Sequence, residues 1–377
     1  MLRDISLKNY RMFKDFQIDG LARVNLLVGP NNSGKTSLLE AIHLLVNPHN
    51  IDEVFEQFLA PRGQIVFSEP LNADPEILYQ IKPLFYKEIL TTEAPLCIES
   101  NSDTFQSFSM QPYPTPEYIE AIDGIEGSYF REILTREIMR QNHYNLFLSH
   151  TQEKQTIHRA TQVNVKGIAS RDFEYLTCYG PPPFQYRRSF LMTIERLKLA
   201  TLAEMWNDIT LTPKEEQVIK ALQILEPNIE RFNFIGATTT ARTTASGILI
   251  KLREREHPVT LGSMGEGMKQ ILNLVMAAVT VENGILLVDE IESGLYYDVQ
   301  ADMWKLLLKI AQELNIQIFA TTHSWDCVRG FAAALSEAAE SDVGKLFRLS
   351  WRGELIRAID YPAEQLEKAV DYGIEVR

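Results

Sequence analysis

One short stretch of the sequence has the residue types and the spacing needed to hold a chain of phosphates. Residues 29–36 read Gly-Pro-Asn-Asn-Ser-Gly-Lys-Thr, the Walker A arrangement of two glycines followed by lysine and threonine. Small residues let such a turn wrap around a phosphate with its backbone N–H groups pointing inward. Lys35 can reach the β- and γ-phosphates, and the Thr36 hydroxyl can ligate Mg²⁺. The stretch therefore predicts a nucleoside-triphosphate site; the alternative is an ordinary glycine-rich turn.

The segments on either side of this turn fit the same interpretation. An apolar run over 24–28 predicts a strand, and the apolar periodicity over 37–46 predicts a helix. A helix N-terminus adds a fixed partial positive charge where phosphates would bind. The residues expected to contact the triphosphate are Gly29, Asn31, Asn32, Ser33, Gly34, Lys35, Thr36 and Ser37.

Two further strand ends carry polar residues that suit phosphate chemistry. The apolar run over 285–288 leads directly into Asp289 and Glu290, where Asp289 can hold Mg²⁺ and Glu290 can activate an attacking water. His323 follows an apolar run over 316–320, at the edge of an α/β sheet where ligands bind. It could hydrogen-bond the γ-phosphate. For Asp289 and Glu290, the alternative is a buried strand that ends in an acidic turn. For His323, it is an ordinary surface or core histidine.

The composition is that of a globular protein, and the sequence shows no obvious membrane-spanning segment. The 377 residues are 45% hydrophobic and 23% charged, and no apolar run approaches the length of a bilayer crossing. The three cysteines are widely separated and indicate reduced thiols in a cytoplasmic protein. The net charge of −13 argues against a protein covered in nucleic-acid-binding surface and is compatible with one local basic groove.

The spacing of the motifs predicts an α/β head interrupted by a long insert. We assign 1–47 and 246–377 to the head, because strands alternate there with helices and imply a mainly parallel sheet. The segment 48–245 is assigned to a mixed, largely helical insert. Helices are expected over 52–59, 75–90, 116–140, 189–207 and 213–225, and short strands around 96–100, 105–110 and 162–168.

The stretch over 261–266, Leu-Gly-Ser-Met-Gly-Glu, resembles the signature loop of ABC-type ATPases. Ser263, Gly265 and Glu266 stand at matching positions, whereas Met264 replaces a glycine. A serine and a glycine at a helix N-terminus can form a second phosphate cradle. The resemblance implies that this cradle completes the site of the opposite subunit, so that two copies sandwich two ATP and two Mg²⁺ in a homodimer.

The two ends of the chain resemble a narrower branch, the RecF- and SMC-like heads and the OLD-type (overcoming lysogenisation defect) ATPases. Residues 9–13 with 24–29 carry the first resemblance, and 289–295 with 319–324 the second. The first implies that Arg11 reaches the bound phosphates.

Some positions depart from the family pattern. Tyr296 stands where transporter-type members carry the aspartate of the D-loop, and Gln57 and Gln64 are the candidates for the Q-loop. The residues after His323 hold only scattered carboxylates, which predicts a stand-alone AAA-family ATP-binding protein without a Toprim nuclease domain.

Two classes of function follow from these patterns. The first is an ATPase whose nucleotide-dependent dimerisation controls DNA or a partner effector, in anti-phage defence or genome maintenance. The second is a non-enzymatic, ATP-bound scaffold or sensor that restrains a separately encoded nuclease or toxin.

The one locally basic, aromatic-rich segment, 131–198, could track a nucleic-acid backbone, and a solvated face with core aromatics explains it equally well. A membrane partner is not expected.

Overall fold

The structure, a computed structural model, divides the chain into two compact units. It describes residues 1–48, 50–68, 76–102, 104–114, 144–153, 155–163, 167–170, 188–193, 197–235, 247–338 and 342–376. The first unit comprises Met1–Leu21, Asn31–Arg187 and Leu349–Ala358, and the second comprises Ala22–Pro30, Arg188–Arg348 and Ile359–Arg377. The head-and-insert division at 47/48 and 245/246 stays a prediction.

Strands and helices are numbered separately along the chain. The strands are β1 (Asp4–Tyr10), β2 (Phe13–Asp19), β3 (Val24–Val28), β4 (Ile65–Ser68), β5 (Glu76–Tyr79), β6 (Leu96–Asn101), β7 (Phe105–Pro114), β8 (Tyr144–Gln152), β9 (Gln155–Val163), β10 (Ile168–Ala169), β11 (Ser189–Met192), β12 (Ile229–Ile235), β13 (Gly247–Leu252), β14 (Val259–Thr260), β15 (Ile285–Val288), β16 (Gln317–Thr321), β17 (Gly344–Arg352) and β18 (Leu355–Tyr361). The helices are α1 (Lys35–Val46), α2 (Ile51–Leu59), α3 (Leu199–Ile209), α4 (Pro213–Leu222), α5 (Glu266–Thr280), α6 (Tyr297–Glu313), α7 (Trp325–Ser336) and α8 (Ala363–Asp371).

The first unit is built on an antiparallel sheet with the strand order β2-β1-β6-β7-β8-β9. A smaller sheet has the order β10-β5-β4. Helix α1 belongs to this unit and is buried along almost its whole length, with only Thr36 partly accessible. An apolar helix of this kind needs protein on every side, so its position is strongly fixed by packing.

The second unit is built on a sheet with the strand order β11-β15-β16-β3-β17-β18. The neighbours from β11 to β17 run parallel to one another. Every residue of β3, β15 and β16 is buried, as expected for strands of a parallel sheet that is covered on both faces. The α/β fold predicted from the alternating motifs is confirmed.

A second, antiparallel sheet in this unit has the order β12-β13-β14. It leads through a short 3-10 helix, Leu261–Met264, into α5, which is buried over most of its length. The strands β17 and β18 are followed by helix α8. Among the described ranges, none of the helices combines the length and apolar character that a bilayer crossing requires.

The segment 48–245 is mixed, and its described residues contain more strand than helix. The helix predicted over 75–90 is wrong, because 76–79 form β5, which pairs with β4 and β10. The helix predicted over 189–207 begins only at Leu199, since residues 189–192 pair with β15. In both cases pairing in the sheet overrides the local pattern. The predicted helices α2 and α4 are confirmed.

Several sequence predictions lie outside the described residues. These are the helix over 116–140 and most of the basic segment 131–198. The described part of that segment includes β8 and β9, which form the far side of the antiparallel sheet of the first unit. Its contact with nucleic acid stays a prediction.

Candidate active site

The turn between β3 and α1 has a backbone shaped for close approach. Gly34, at the N-cap of α1, has φ of 93°, and Asn32 has φ of 58°. Both values fall in the left-handed region, which glycine enters freely and asparagine more readily than most residues. A side chain at Gly34 would place its Cβ 2.4 Å from the ring of Phe13, so the second glycine of the motif is required on steric grounds as well.

The start of α1 has the electrostatics of an anion site. No side chain caps the helix at Gly34, and its first turn contains no acidic residue. The backbone N–H groups at a helix start have no partner within the helix, and the helix dipole favours negative charge there. Lys35 and Ser33 are buried, whereas Asn31 and Asn32 are exposed. The turn therefore offers backbone donors next to a buried cation, as a phosphate chain requires.

In the second unit, one threonine fixes the two carboxylate-bearing residues that follow β15. The Thr321 hydroxyl donates to Asp289 Oδ1 at 2.6 Å and accepts the Glu290 backbone N–H at 2.8 Å. The Thr321 carbonyl in turn accepts the N–H of Ile291 at 3.1 Å. Glu290 has φ of 50°, so the chain turns sharply immediately after Asp289. Thr321 thus determines the direction in which the acidic pair projects.

The sequence alone does not assign a role to Thr321, although the residue lies within the stretch 319–324 that resembles the OLD-type ATPases. The available signal was two adjacent threonines at the end of an otherwise apolar strand, β16. A hydroxyl at that point has to find partners because the residue is fully buried. Asp289 and Glu290, which follow the neighbouring parallel strand β15, are these partners.

His323 stands just after β16, in a turn that is held from several directions. Its backbone N–H donates to Glu292 Oε1 at 3.0 Å, and the Thr322 N–H donates to the Leu27 carbonyl at 3.1 Å. The Ser324 side chain caps α7 by accepting the Cys327 N–H at 3.3 Å. These bonds place His323 at the carboxyl end of the parallel strands and leave its side chain partly accessible.

Arg11 is buried in the first unit within a network of charges. Its Nε lies 2.7 Å from Glu40 Oε2 on α1, and the Nε of Arg62 lies 2.8 Å from Glu40 Oε1. Gln64, one of the Q-loop candidates, accepts a long hydrogen bond of 3.4 Å from the Arg11 guanidinium. The other candidate, Gln57, contacts the ring of His43 at 2.9 Å. The expected contact of Arg11 with phosphates stays a prediction.

The loop that resembles a signature motif contributes to the lining of a cleft in the second unit. Ser263 is exposed, and its hydroxyl donates to the Thr260 carbonyl at 2.7 Å. Gly265 forms the N-cap of α5 with φ of 91° and provides no side-chain cap, and Glu266 is paired with Lys269 at 2.8 Å. The cleft measures about 470 Å³, and Ser263, Met264 and Tyr296 contribute to its lining.

Thr36 and Asp289 supply the ligand types that Mg²⁺ prefers. A hydroxyl and a carboxylate are hard oxygen ligands, and Mg²⁺ at phosphate sites usually takes one or two carboxylates together with phosphate oxygens and water. Within the described parts of the chain, no cluster of three or more His, Cys, Asp or Glu residues could hold a metal by itself. A Mg²⁺ site made by Thr36 and Asp289 stays a prediction.

An apolar parallel strand, a glycine-rich turn and a buried helix, together with an Asp-Glu pair at a strand end, are the features of a P-loop nucleoside triphosphatase with an α/β fold. A family model described as an AAA ATPase domain matches residues 1–328. The chain belongs to that family and is an ATPase.

Three known proteins illustrate the similarity. A Helicobacter pylori protein named ATP/GTP phosphatase is 24% identical over 396 residues, which cover 97% of each chain. The Streptococcus pyogenes protein named DNA replication and repair protein RecF is 23% identical over 359 residues, which cover 86% of this chain and 92% of the relative. Among solved structures, an SMC head bound to the C-winged helix domain of ScpA matches with a TM-score of 0.48 and 13% identity, over 97% of this chain and 99% of that one.

Replacing Thr321 with alanine is expected to destabilise the protein. The change removes the donor to Asp289 and leaves the buried Glu290 N–H without its acceptor, a loss of about 1–3 kcal/mol in the free energy of unfolding. Chemical denaturation of the variant and of Thr321→Ser measures the effect. Serine keeps the hydroxyl and should recover most of the stability, so equal destabilisation by serine and alanine would contradict the assignment of the hydroxyl.

Proposed function

We propose that ATP is hydrolysed between the glycine-rich turn and the Asp289–Glu290 strand end, and that nucleotide-dependent dimerisation couples the reaction to DNA or to a partner protein. The observation that carries the proposal is the start of α1, which combines a left-handed glycine, a buried lysine and an acid-free first turn. Such a helix start favours a polyanion over any neutral ligand.

Binding of the triphosphate is assigned to the turn and the first residues of α1. Backbone N–H groups of the turn would hold the β- and γ-phosphates, and the Lys35 ammonium would neutralise charge on them. The Thr36 hydroxyl and the Asp289 carboxylate are the groups that would hold Mg²⁺, which spreads the charge of the phosphate oxygens when it is bound. The hydrogen bond from Thr321 supports this assignment, because it fixes one oxygen of Asp289 at 2.6 Å.

Activation of water is assigned to Glu290. Its backbone N–H is held by Thr321, and its left-handed φ directs the residue away from the continuation of β15. A carboxylate that takes a proton from the attacking water contributes about 10²–10⁴-fold to a rate. His323, on the next strand end, would hydrogen-bond the γ-phosphate and help to orient the water.

Dimerisation is assigned to the signature-like loop. Ser263 is exposed and lines a cleft, and Gly265 gives α5 an N-terminus without a side-chain cap. Ser263, Gly265 and Glu266 would close the nucleotide site of a second copy. The relative named for DNA replication and repair supports a function on DNA, and the narrower OLD-type branch with anti-phage defence rests on the sequence resemblance alone.

Two substitutions separate binding from hydrolysis. Lys35→Ala is expected to abolish ATP binding, because it removes the cation from the phosphate site. Glu290→Gln is expected to retain ATP binding and to lower the turnover rate by about 10²-fold or more, the share typical of a catalytic base. Equilibrium titration with ATP and steady-state phosphate release, with and without duplex DNA and with GTP as a second substrate, provide the measurements.

Glu256→Gln is a suitable control for these variants, since this exposed glutamate lies in the turn between β13 and β14. It should bind and hydrolyse ATP like the parent protein. Hydrolysis by Glu290→Gln at the parent rate would contradict the assignment of the base. An ATP-bound parent protein that releases no phosphate, with or without DNA, would favour the scaffold or sensor alternative.

Mixing two inactive variants tests whether the site is shared between copies. Lys35→Ala retains the signature-like loop, and Ser263→Arg retains the glycine-rich turn, so a mixed dimer contains one complete composite site. Part of the ATPase rate should therefore return on mixing. A mixture that forms mixed dimers with ATP but stays as inactive as the separate variants would contradict closure in trans.

A further inference from the structure

Trp351 contacts the phosphate-binding turn and leaves much of its ring accessible. It lies near the end of β17, and its indole Nε1–H donates to the backbone carbonyl of Asn32 at 3.1 Å. The residue is 45% exposed. Of the four tryptophans in the chain, Trp206 and Trp304 are buried and Trp325 is partly buried, so Trp351 is the most accessible.

The hydrogen bond to Asn32 distinguishes Trp351 from other exposed apolar residues. Scattered exposed hydrophobic side chains are normal at protein surfaces and need no explanation. Trp351, however, uses its only polar atom to hold the carbonyl of a residue in the left-handed conformation, in the middle of the phosphate-binding turn. The hydrogen bond holds the edge of the indole ring at the turn, and the residue remains 45% exposed.

The order of the parallel strands indicates which part of a nucleotide would reach this ring. In the sheet of parallel strands, β3 lies between β16 and β17, and β15 lies beyond β16. Asp289 and His323 follow β15 and β16, whereas Trp351 belongs to β17 on the opposite flank of β3. If the γ-phosphate lies towards the acidic residues, as the proposed function requires, the nucleoside end of the ligand extends towards β17.

We propose that Trp351 is the stacking platform for the base of the bound nucleotide. The proposal rests on the proposed triphosphate site and adds to it the recognition of the nucleoside. Every base offers a π-face to an aromatic ring, so stacking alone does not distinguish adenine from guanine. The ligand class is therefore a purine nucleoside triphosphate, with ATP and GTP accepted similarly at this contact.

The experiment compares a nucleotide with a ligand that lacks the base. Equilibrium titrations of the full chain use the non-hydrolysable ATP and GTP analogues AMPPNP and GMPPNP, and inorganic tripolyphosphate, each with Mg²⁺. Trp351→Ala is expected to weaken binding of both analogues by about tenfold or more, as loss of one base–aromatic stack does. Its affinity for tripolyphosphate should be unchanged. Trp351→Phe keeps a stacking ring and should lose much less than the alanine variant.

Intrinsic fluorescence provides a second readout that does not depend on activity. AMPPNP should quench the emission of the parent protein, and tripolyphosphate should leave it unchanged. The quenching should disappear in Trp351→Phe and persist in Trp325→Phe. Glu354→Gln, an exposed position in the same hairpin, should bind every ligand like the parent protein.

The outcomes separate this proposal from the proposed function. An equal loss of AMPPNP and tripolyphosphate affinity in Trp351→Ala would show that the residue only braces the turn, which overturns the stacking role. Unchanged AMPPNP binding in that variant, with binding abolished by Lys35→Ala, would overturn the platform and leave the triphosphate site intact. A parent protein that binds none of the ligands would instead overturn the proposed function.

Discussion

The central constraint on this molecule is that its parallel strands end in register at one edge of a sheet. Val288 is aligned with Ala320, Thr321 with Leu27, and Arg348 with Val28. Parallel strands place their carboxyl ends on the same edge, and ligands of open α/β sheets bind there. The glycine-rich turn, the Asp-Glu pair and the threonine-histidine turn each begin within one or two residues of these aligned positions, so the pairing of the strands determines where the functional groups stand.

Hydrogen bonds at this edge hold the residues that follow the paired strands in fixed positions. Thr321 holds Asp289 and the backbone of Glu290, and the Thr322 N–H binds the carbonyl of Leu27 on β3. Preorganised groups of this kind stabilise developing charge without reorganising during the reaction. In the first unit, Glu40 lies between Arg11 and Arg62 and anchors α1, the helix that starts at the phosphate-binding turn. The strand ends are therefore fixed by strand pairing, whereas α1 is held by a buried ion-pair network.

Local sequence signals were sufficient where each element carries its own pattern. The turn over 29–36 combines a required conformation at Gly34 with an apolar strand and helix, and the sequence displays all three features. The same holds for the apolar strand before Asp289. The interval over 48–245 was harder, because its strands depend on partners distant in sequence. For example, β11 is defined by pairing with β15, and β1 pairs with both β2 and β6. The contacts of Thr321 and Trp351 escaped prediction for the same reason, since each side chain forms hydrogen bonds with residues distant in sequence.

The most direct test of the account is a structure of Glu290→Gln crystallised with ATP and Mg²⁺. The account predicts one triphosphate with its β- and γ-phosphates on the backbone of the glycine-rich turn and the Lys35 ammonium. It also predicts Mg²⁺ bound to the Thr36 hydroxyl, with the Asp289 carboxylate holding it directly or through water. A nucleotide bound away from the glycine-rich turn, or Asp289 and Glu290 distant from the γ-phosphate of an otherwise intact complex, would contradict it.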